Sequence, residues 1–219
     1  MSDDRYARLA RGYGTHQAIV DLLAPGRRVL DVGAGGGHLA ALVTRELGGT
    51  VVCLERDRAL AQTARDRGLT VVEADITDTD ELVAAAAPHG PFDHLILADV
   101  LEHVADPAAV LHRCPELLAH GGSAVVSLPN VVTLKARLRM LAGIWRYEDE
   151  GIFDATHLRF FSIATARALL TDSGWVIDRE IAVGTLTHRM GRRGRSLTAA
   201  RPGLLATQLV MRASPPVRP

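Results

Sequence analysis

The chain has 219 residues, 47% of them hydrophobic, which is enough for one folded domain with a substantial core. Its 25 basic and 25 acidic residues cancel, so no overall charge favours nucleic acid or a membrane surface as a partner. The two cysteines are isolated, which excludes a disulfide framework. Because no apolar stretch indicates a signal peptide or a membrane span, we expect a cytoplasmic protein, and its arginine-rich, lysine-poor composition suggests a bacterial source.

The first part of the chain predicts a regular alternation of strands and helices. A helix is predicted over residues 4–24, since apolar residues repeat at helical spacing before Pro25 and Gly26 end the run. Short apolar runs then alternate with longer amphipathic segments, which favours an α/β fold with a parallel sheet covered on both faces. The strands are predicted over 28–32, 50–54, 69–73, 92–97 and 123–128, and the helices between them over 38–47, 58–67, 79–87 and 106–119.

The connection over residues 131–161 is longer and richer in arginine and aromatic residues than any before it. Long connections in compact domains often form lids or binding loops, so we predict a substrate lid with a helix over 131–141 and a loop over 148–156. The whole chain, 1–219, is interpreted as one domain with a helical cap over 1–26. The remaining elements are a helix over 162–173, a strand over 175–183, a basic loop over 184–202, a last strand over 204–211 and a disordered tail over 213–219.

A glycine-rich turn, Gly33-Ala34-Gly35-Gly36-Gly37, joins the first predicted strand to the next helix. Glycine permits the positive φ angles of such a turn, and the missing Cβ lets a ligand lie against bare backbone at the positive end of a helix. This unit predicts a nucleotide-type binding site in an open α/β sheet.

Four residues around this turn decide which nucleotide fits best. Asp31, inside the strand, suits a cationic amino group and would repel the pyrophosphate of a dinucleotide. His38 stands where a dinucleotide fingerprint needs glycine or alanine. Glu55 closes the second strand, where a carboxylate binds ribose hydroxyls, and Asp75 closes the third, where one can accept from an adenine amino group. A ligand with ribose, adenine and an ammonium group but no phosphate is S-adenosylmethionine (SAM).

Four segments in this order resemble the motifs of class I SAM-dependent methyltransferases. They are residues 29–37, Glu55 with Arg56, residues 74–76, and residues 92–99. The resemblance implies a Rossmann-like, doubly wound sheet of seven strands, mostly parallel, with an antiparallel last strand beside the strand over 175–183. It also implies SAM as the cofactor, with these residues binding it: Asp31, Gly33, Ala34, Gly35, Glu55, Arg56, Asp75, Ile76 and Asp99.

His103 is the first candidate catalytic residue. It follows the fourth strand in Asp99-Val-Leu-Glu102-His103, and imidazole suits a general base near neutral pH. The spacing is similar to the E-x-x-E-H of metal-assisted ubiquinone-biosynthesis and small-RNA 2′-O-methyltransferases, so partial metal ligation stays an alternative. Metal-free relatives carry the same Leu-Glu-His tripeptide, and we predict no resident metal. A third interpretation is that Glu102 and His103 only shape the turn.

His157 is the second candidate, within Asp154-Ala-Thr-His157-Leu-Arg159-Phe-Phe161. This segment resembles one found in methyltransferases of cell-surface polysaccharide and natural-product pathways. Three roles are open to His157. It acts as a base, it orients the acceptor, or it forms a hydrogen bond that locks the lid to the turn after the fourth strand.

The resulting hypothesis is methyl transfer from SAM to a small molecule, at an oxygen of a sugar or a secondary-metabolite intermediate, by a monomer or homodimer. The basic loop over 184–202 either grips an anionic acceptor or is solvated. One alternative is a SAM-binding subunit without turnover. The other is an NAD-dependent oxidoreductase, against which Asp31 and His38 argue.

Overall fold

In the computed structural model, which describes residues 14–149 and 151–216, seven strands form one sheet in the order β3-β2-β1-β4-β5-β7-β6. β7 is antiparallel to both of its neighbours, whereas the other paired strands run parallel, so the predicted sheet is confirmed. The strands are β1 (Arg28–Val32), β2 (Thr50–Leu54), β3 (Thr70–Val72), β4 (Phe92–Ala98), β5 (Leu118–Pro129), β6 (Val176–Val183) and β7 (Gln208–Ser214).

Helices cover both faces of this sheet, as predicted. The α-helices of the described residues are α1 (Thr15–Val20), α2 (His38–Leu47), α3 (Arg58–Asp66), α4 (Thr79–Ala86), α5 (Pro107–Arg113), α6 (Leu134–Leu141), α7 (Ile163–Asp172), α8 (Thr185–Ala200) and α9 (Pro202–Leu205).

Two apolar cores lie on opposite faces of the sheet, because successive side chains of a strand point in opposite directions. Leu30 and Val32 of β1 pack in a core with residues of α4, α5 and α7. Val29 packs in the other core with residues of α1 and α2. Asp31 is two positions beyond Val29 and therefore shares its face, which places a buried carboxylate at the carboxyl end of the central strand.

The order in which strands are added to the sheet reverses at β1, and this reversal determines where the site lies. From β1 the chain moves outward to β2 and β3, and then returns to β4 on the other side of β1. In open α/β sheets such a reversal leaves a ligand-binding crevice at the carboxyl ends of the two central strands. The glycine-rich turn follows β1 there, and Asp99 follows β4.

The basic segment over 184–202 was predicted as a loop, and this prediction is wrong. It forms the helix α8, which is interrupted at Gly191, where φ is 54° and ψ is −129°. Arginine, leucine, methionine and alanine all favour helix, and a high density of charge does not prevent one. Glycine tolerates the kink at a φ value that other residues resist.

The last strand is also shifted from its predicted position over 204–211. Pro202 begins the short helix α9, because proline is well accommodated at the first position of a helix. β7 then extends through Ser214, so Ala213 and Ser214 are strand residues rather than part of a disordered tail. Strands buried on both faces lack the alternating pattern that would fix their ends.

The predicted helix over 106–119 is shorter in the structure. α5 gives way to a 3₁₀ turn over Cys114–Leu117, where Pro115 has no N–H to continue the α-helical bonding. β5 begins at Leu118 and contains Gly121 and Gly122, which were predicted to precede it.

The lid contains a helix, as predicted, but α6 begins at Leu134 rather than at 131. The Thr133 hydroxyl accepts from the Ala136 N–H and caps it. Of the helix predicted over 4–24, the structure forms α1 over Thr15–Val20, and residues 21–24 are not helical. Residues 4–13 of that helix, 1–13 of the predicted cap and 217–219 of the predicted tail lie outside the described part of the chain. In the described ranges, none of the helices is long and apolar enough to cross a bilayer.

Candidate functional site

The glycine-rich turn after β1 has three glycines with positive φ: Gly33 (73°), Gly35 (55°) and Gly37 (77°). A Cβ on Gly33 would collide with the Val100 side chain, and a Cβ on Gly37 would lie 2.5 Å from Leu69 Cδ1. A Cβ on Gly35 would meet nothing within 4 Å. Gly33 and Gly37 therefore allow close packing within the protein, whereas the backbone of Gly35 faces open space in which a ligand can lie.

Glu55, at the carboxyl end of β2, is bonded to this turn. One carboxylate oxygen accepts from the Gly35 N–H at 2.7 Å, and the other accepts from the Asp57 N–H at 2.8 Å. Each carboxylate oxygen can accept a further bond, so the predicted contact with ribose hydroxyls stays open to Glu55. The bond to Gly35 positions the turn, a role that the sequence did not indicate.

Asp31 is almost completely buried, and its Oδ2 has no hydrogen-bond partner. Burial, with the negative charge of Glu55 nearby, raises the pKa of Asp31 to about 7. An orphaned buried carboxyl next to a second carboxylate is an unfavourable arrangement, which a cationic group relieves. The turn and the two acids thus fit SAM, which combines an ammonium group, a sulfonium and ribose hydroxyls.

The predicted adenine-binding corner lies after β3. The guanidinium of Arg56 lies 3.3 Å from Asp75 Oδ2, and Asp75 Oδ1 accepts from the N–H and the hydroxyl of Thr77. These two bonds from Thr77, with the Arg56 charge, outweigh partial burial and hold the pKa of Asp75 below its ordinary value. Asp75 is therefore an ionised acceptor next to the half-buried Ile76, which suits the predicted contact with an adenine amino group.

Asp99 follows β4 in a left-handed conformation with φ of 54°, which is uncommon for a residue other than glycine. Its Oδ1 accepts from the Ser127 hydroxyl at 2.7 Å and also from the side-chain amide of Gln208. Partners on β5 and β7 thus hold the Asp99 carboxylate at the carboxyl edge of the sheet. Backbone strain of this kind is common at functional sites.

Asp154, Thr156 and His103 form a chain of hydrogen bonds at the same edge. The Thr156 hydroxyl donates to Asp154 Oδ1 at 2.6 Å, and its oxygen lies 3.1 Å from His103 Nδ1. The same Nδ1 lies 3.2 Å from the Thr156 carbonyl oxygen, which can only accept. When the ring is neutral, Nδ1 therefore carries the hydrogen, and Nε2 of His103 is left as a proton acceptor.

His157 stands directly beside His103. The two ring centroids are 4.8 Å apart, at an angle of 69° between the planes. His157 Nδ1 is buried and has no hydrogen-bond partner. Burial and the neighbouring His103, opposed in part by Asp154, lower the pKa of His157, so its ring is neutral at physiological pH.

Glu102 is the third member of this group and is buried, with no partner for Oε2. Burial, with the charge of Asp99, raises its pKa well above the ordinary value. One possible ligand atom from each of Glu102, His103 and His157 lies within 4.8 Å of the other two, which suits a metal ion. The structure thus assembles a different trio from the Asp99, Glu102 and His103 of the sequence pattern.

The backbone of the lid is fastened to the turn after β4. The N–H groups of Leu158 and Arg159 both donate to the Glu102 carbonyl, at 2.8 and 3.0 Å, and the Arg159 guanidinium donates to the Ala105 carbonyl. Main-chain bonds and Arg159, rather than the His157 ring, therefore lock the lid.

A cavity of about 1050 Å³ opens beside these residues, between the lid, α8 and α9. Its polar end contains Asp99, Glu102, His103, His157 and Gln208. The rest of the wall combines apolar and polar side chains. The apolar residues are Pro129, Leu134, Leu138, Ala142, Ile144, Ile152, Leu186, Leu204 and Leu205, and the polar or charged ones are Thr15, Thr133, Lys135, Arg139, Asp154, Thr156, Thr185 and Thr207. This arrangement suits an organic molecule with one reactive polar group and an apolar body.

The sequence analysis did not identify three residues of this site. Thr156 lies within a segment that the sequence did single out, two residues after Asp154, and that spacing is typical of a local side-chain turn. Ser127 and Gln208 belong to buried strands, and no pattern in the chain relates them to Asp99.

Comparison with known families finds that a model described as a methyltransferase domain matches residues 4–180. The chain is 40% identical over 115 residues to a ubiquinone biosynthesis O-methyltransferase from Caulobacter sp. (strain K31), and the match covers 51% of this chain and 44% of that protein. It is 38% identical over 107 residues to a protein of the same name from Xanthomonas campestris pv. campestris (strain B100), covering 48% and 44%. The matches therefore span less than half the length of these relatives.

Solved structures share the whole fold. A SAM-dependent methyltransferase from Thermotoga maritima superposes with a TM-score of 0.65 at 17% identity, covering 97% of this chain and 95% of that one. A likeness at this low identity shows that the architecture is common to both chains.

Proposed function

This chain belongs to the methyltransferase domain family, and from that premise we propose that it transfers a methyl group from SAM to a hydroxyl oxygen of a small molecule with an apolar body. The single observation that carries the proposal is the position of His103. His103 lines a cavity that also contains Asp99, at the carboxyl edge of the sheet, and the contacts of its Nδ1 with Thr156 leave Nε2 as the accepting nitrogen of the neutral ring.

The residues around the glycine-rich turn would hold the cofactor. Asp31 would face its ammonium group, the Gly35 backbone would leave it room, and Glu55 would accept from its ribose hydroxyls. Asp75, with Ile76 beside it, would accept from its adenine amino group. When bound, SAM supplies a methyl group that is already activated on a positively charged sulfur.

The enzyme's own contribution is then to place the acceptor and to remove its proton. An acceptor hydroxyl at the polar end of the cavity would lie next to His103, whose Nε2 accepts the proton. Thr156 and Asp154 fix the ring and the tautomer that make this transfer geometrically favourable. A held ring is useful because correct orientation supplies much of the rate in a displacement reaction.

A second candidate for hydroxyl activation is a divalent cation held by Glu102, His103 and His157. The orphaned Glu102 Oε2 and His157 Nδ1 favour it, since a metal would satisfy both buried atoms at once. A cation would lower the pKa of a coordinated hydroxyl and would leave less need for a protein base. The two candidates share the same residues and differ in their response to chelators.

The acceptor was predicted to be a sugar or a secondary-metabolite intermediate, and the lining of the cavity favours the second. A sugar exposes hydroxyl groups on all sides, and the hydroxyls that face the five leucines and two isoleucines of the wall would have no partners there. An aromatic or aliphatic skeleton with a single hydroxyl at the polar end leaves few unpaired groups. The two relatives reported above are named as ubiquinone biosynthesis O-methyltransferases, which supports oxygen as the receiving atom.

The test compares acceptors that share one apolar skeleton and carry a hydroxyl, a primary amine or a methyl ether in its place. We expect formation of S-adenosylhomocysteine (SAH) with the hydroxyl compound and background rates with the other two. Turnover of the amine alone would refute oxygen transfer. Dialysis against a chelator, followed by Mg²⁺, Mn²⁺ or Zn²⁺, separates the two activation modes: unchanged activity supports His103 as base, and loss with metal-dependent recovery supports the cation.

A further inference from the structure

The lid exposes an unusually apolar surface to solvent. Of the twelve large apolar side chains that are exposed in the described part of the chain, nine lie between residues 134 and 160. They define what we term the lid surface: Leu134, Leu138, Met140, Leu141, Ile144, Trp145, Tyr147, Leu158 and Phe160. Isolated exposed apolar residues are ordinary, but a contiguous group indicates an interaction site.

Helix α6 is amphipathic, but its large apolar side chains face solvent, whereas those of a normal surface helix face the core. Ala136 is its fully buried side chain, whereas Leu134, Leu138 and Leu141 share the opposite, exposed face at spacings of four and three residues. Leu141 is 85% exposed. A helix that only covered the core would place its leucines where Ala136 lies.

The acceptor cavity does not account for this surface. Leu134, Leu138 and Ile144 line the cavity, but Leu141, Trp145 and Tyr147 do not. Trp145 packs edge-to-face on Phe153 with ring centroids 4.9 Å apart, which fixes its position, and the side chain is still 44% exposed.

Basic side chains accompany these apolar residues. Lys135, Arg137 and Arg146 are exposed and take part in no salt bridge with any residue between 14 and 149 or between 151 and 216. Arg139 pairs with Glu148 at 2.6 Å, which neutralises one of the three consecutive acids, Glu148, Asp149 and Glu150, that follow the apolar run in the sequence. Within α6 itself every charged side chain is basic: Lys135, Arg137 and Arg139.

We propose that the lid surface docks onto an anionic lipid bilayer. Leucine, tryptophan and tyrosine at the boundary between headgroups and acyl chains, with lysine and arginine among the headgroups, are the features by which amphipathic helices bind membrane interfaces. A second copy of this chain fits less well. A symmetric dimer through this face would place the basic helix α6 against the same surface of the other copy.

Docking in this orientation would direct the mouth of the cavity toward the bilayer, since Leu134, Leu138 and Ile144 belong to both the cavity wall and the lid surface. An acceptor with an apolar body could then enter without crossing water. The sequence predicted no membrane partner because charge was summed over the whole chain, and a sum conceals a local basic and apolar surface.

The test is co-flotation of the full chain with vesicles, without cofactor or acceptor, so that its outcome is independent of the proposed reaction. Vesicles of phosphatidylcholine mixed with phosphatidylglycerol are compared with vesicles of phosphatidylcholine alone. We expect binding to the anionic vesicles that weakens in high salt. Leu141→Ser should reduce the partition coefficient about tenfold, and Lys135→Gln with Arg146→Gln should reduce it by a similar factor.

Two variants on β6 serve as matched controls for these substitutions. Val176→Ser removes an apolar side chain that is 63% exposed, and Arg179→Gln removes an exposed charge. Both should bind vesicles like the unmodified chain. No binding to anionic vesicles, or equal losses in the lid and β6 variants, would overturn the proposal. So would a dimer in solution that Leu141→Ser dissociates, because a second copy would then cover the lid surface.

Discussion

Replacing Asp31 by asparagine should make the cofactor-free protein more stable at neutral pH while weakening its affinity for SAM. The folded structure raises the pKa of Asp31 from an ordinary 3.8 to about 7, through burial and then through the charge of Glu55. The native state therefore binds this proton more tightly than the unfolded chain does. Stability falls as the pH rises from about 4 to about 7, because the buried carboxyl must ionise over that range.

The size of the effect follows from the shift. About three pKa units correspond to roughly 4 kcal/mol of the free energy of unfolding, present below pH 4 and lost by pH 7. The amide of the substituted asparagine cannot ionise, so the variant should escape this loss. The free energy of unfolding of the variant minus that of the unmodified chain should therefore increase by several kcal/mol as the pH rises from about 4 to about 8.

Urea denaturation at a series of pH values, without cofactor, measures this difference, and groups that titrate equally in both proteins cancel. Asp172→Asn, at an exposed aspartate on α7, is the control and should show no pH-dependent difference. A difference between the Asp31 variant and the unmodified chain that stays constant with pH would refute the reasoning, because it would mean that Asp31 is already ionised in the native state.

Three further outcomes follow from the same geometry. The affinity of the unmodified chain for SAH, measured by calorimetry, should rise with pH up to about 7, as Asp31 ionises, whereas the affinity of Asp31→Asn should not. Gly35→Val should abolish SAH binding. The control is Gly26→Val, at a glycine that also has a positive φ and open space around it but lies far from the site; this variant should bind SAH normally despite similar backbone strain. Equal losses of SAH binding in the two variants would contradict the role of Gly35. Thr156→Val should lower kcat about tenfold at unchanged SAH affinity, and Thr156→Ser should recover most of the activity.

The first half of the fold could be predicted closely because its signals are local. Short apolar strands, glycine breaks and the Asp106-Pro107 helix start each act within a few residues. The acids at the ends of β1, β2 and β3 were identified for the same reason, since topology alone places the carboxyl ends of parallel strands at one edge.

The part of the site that contains the two histidines could be predicted only in part. His103 and His157 were singled out separately, but their approach to 4.8 Å depends on how the lid folds over the turn after β4. No periodicity links positions more than fifty residues apart. Gln208 carries no signal at all, because its importance comes from the pairing of β7 with β5, which brings it to Asp99.

The measurement that tests the account most directly uses SAM labelled with ¹³C in its methyl group and an acceptor with one hydroxyl on an apolar skeleton. After incubation, NMR of the product identifies the atom that carries the label. The account predicts a labelled O-methyl group with the unmodified chain, and strongly reduced product with His103→Ala at unchanged affinity for SAH. A label on nitrogen or carbon, or full activity of His103→Ala without a metal, would contradict it.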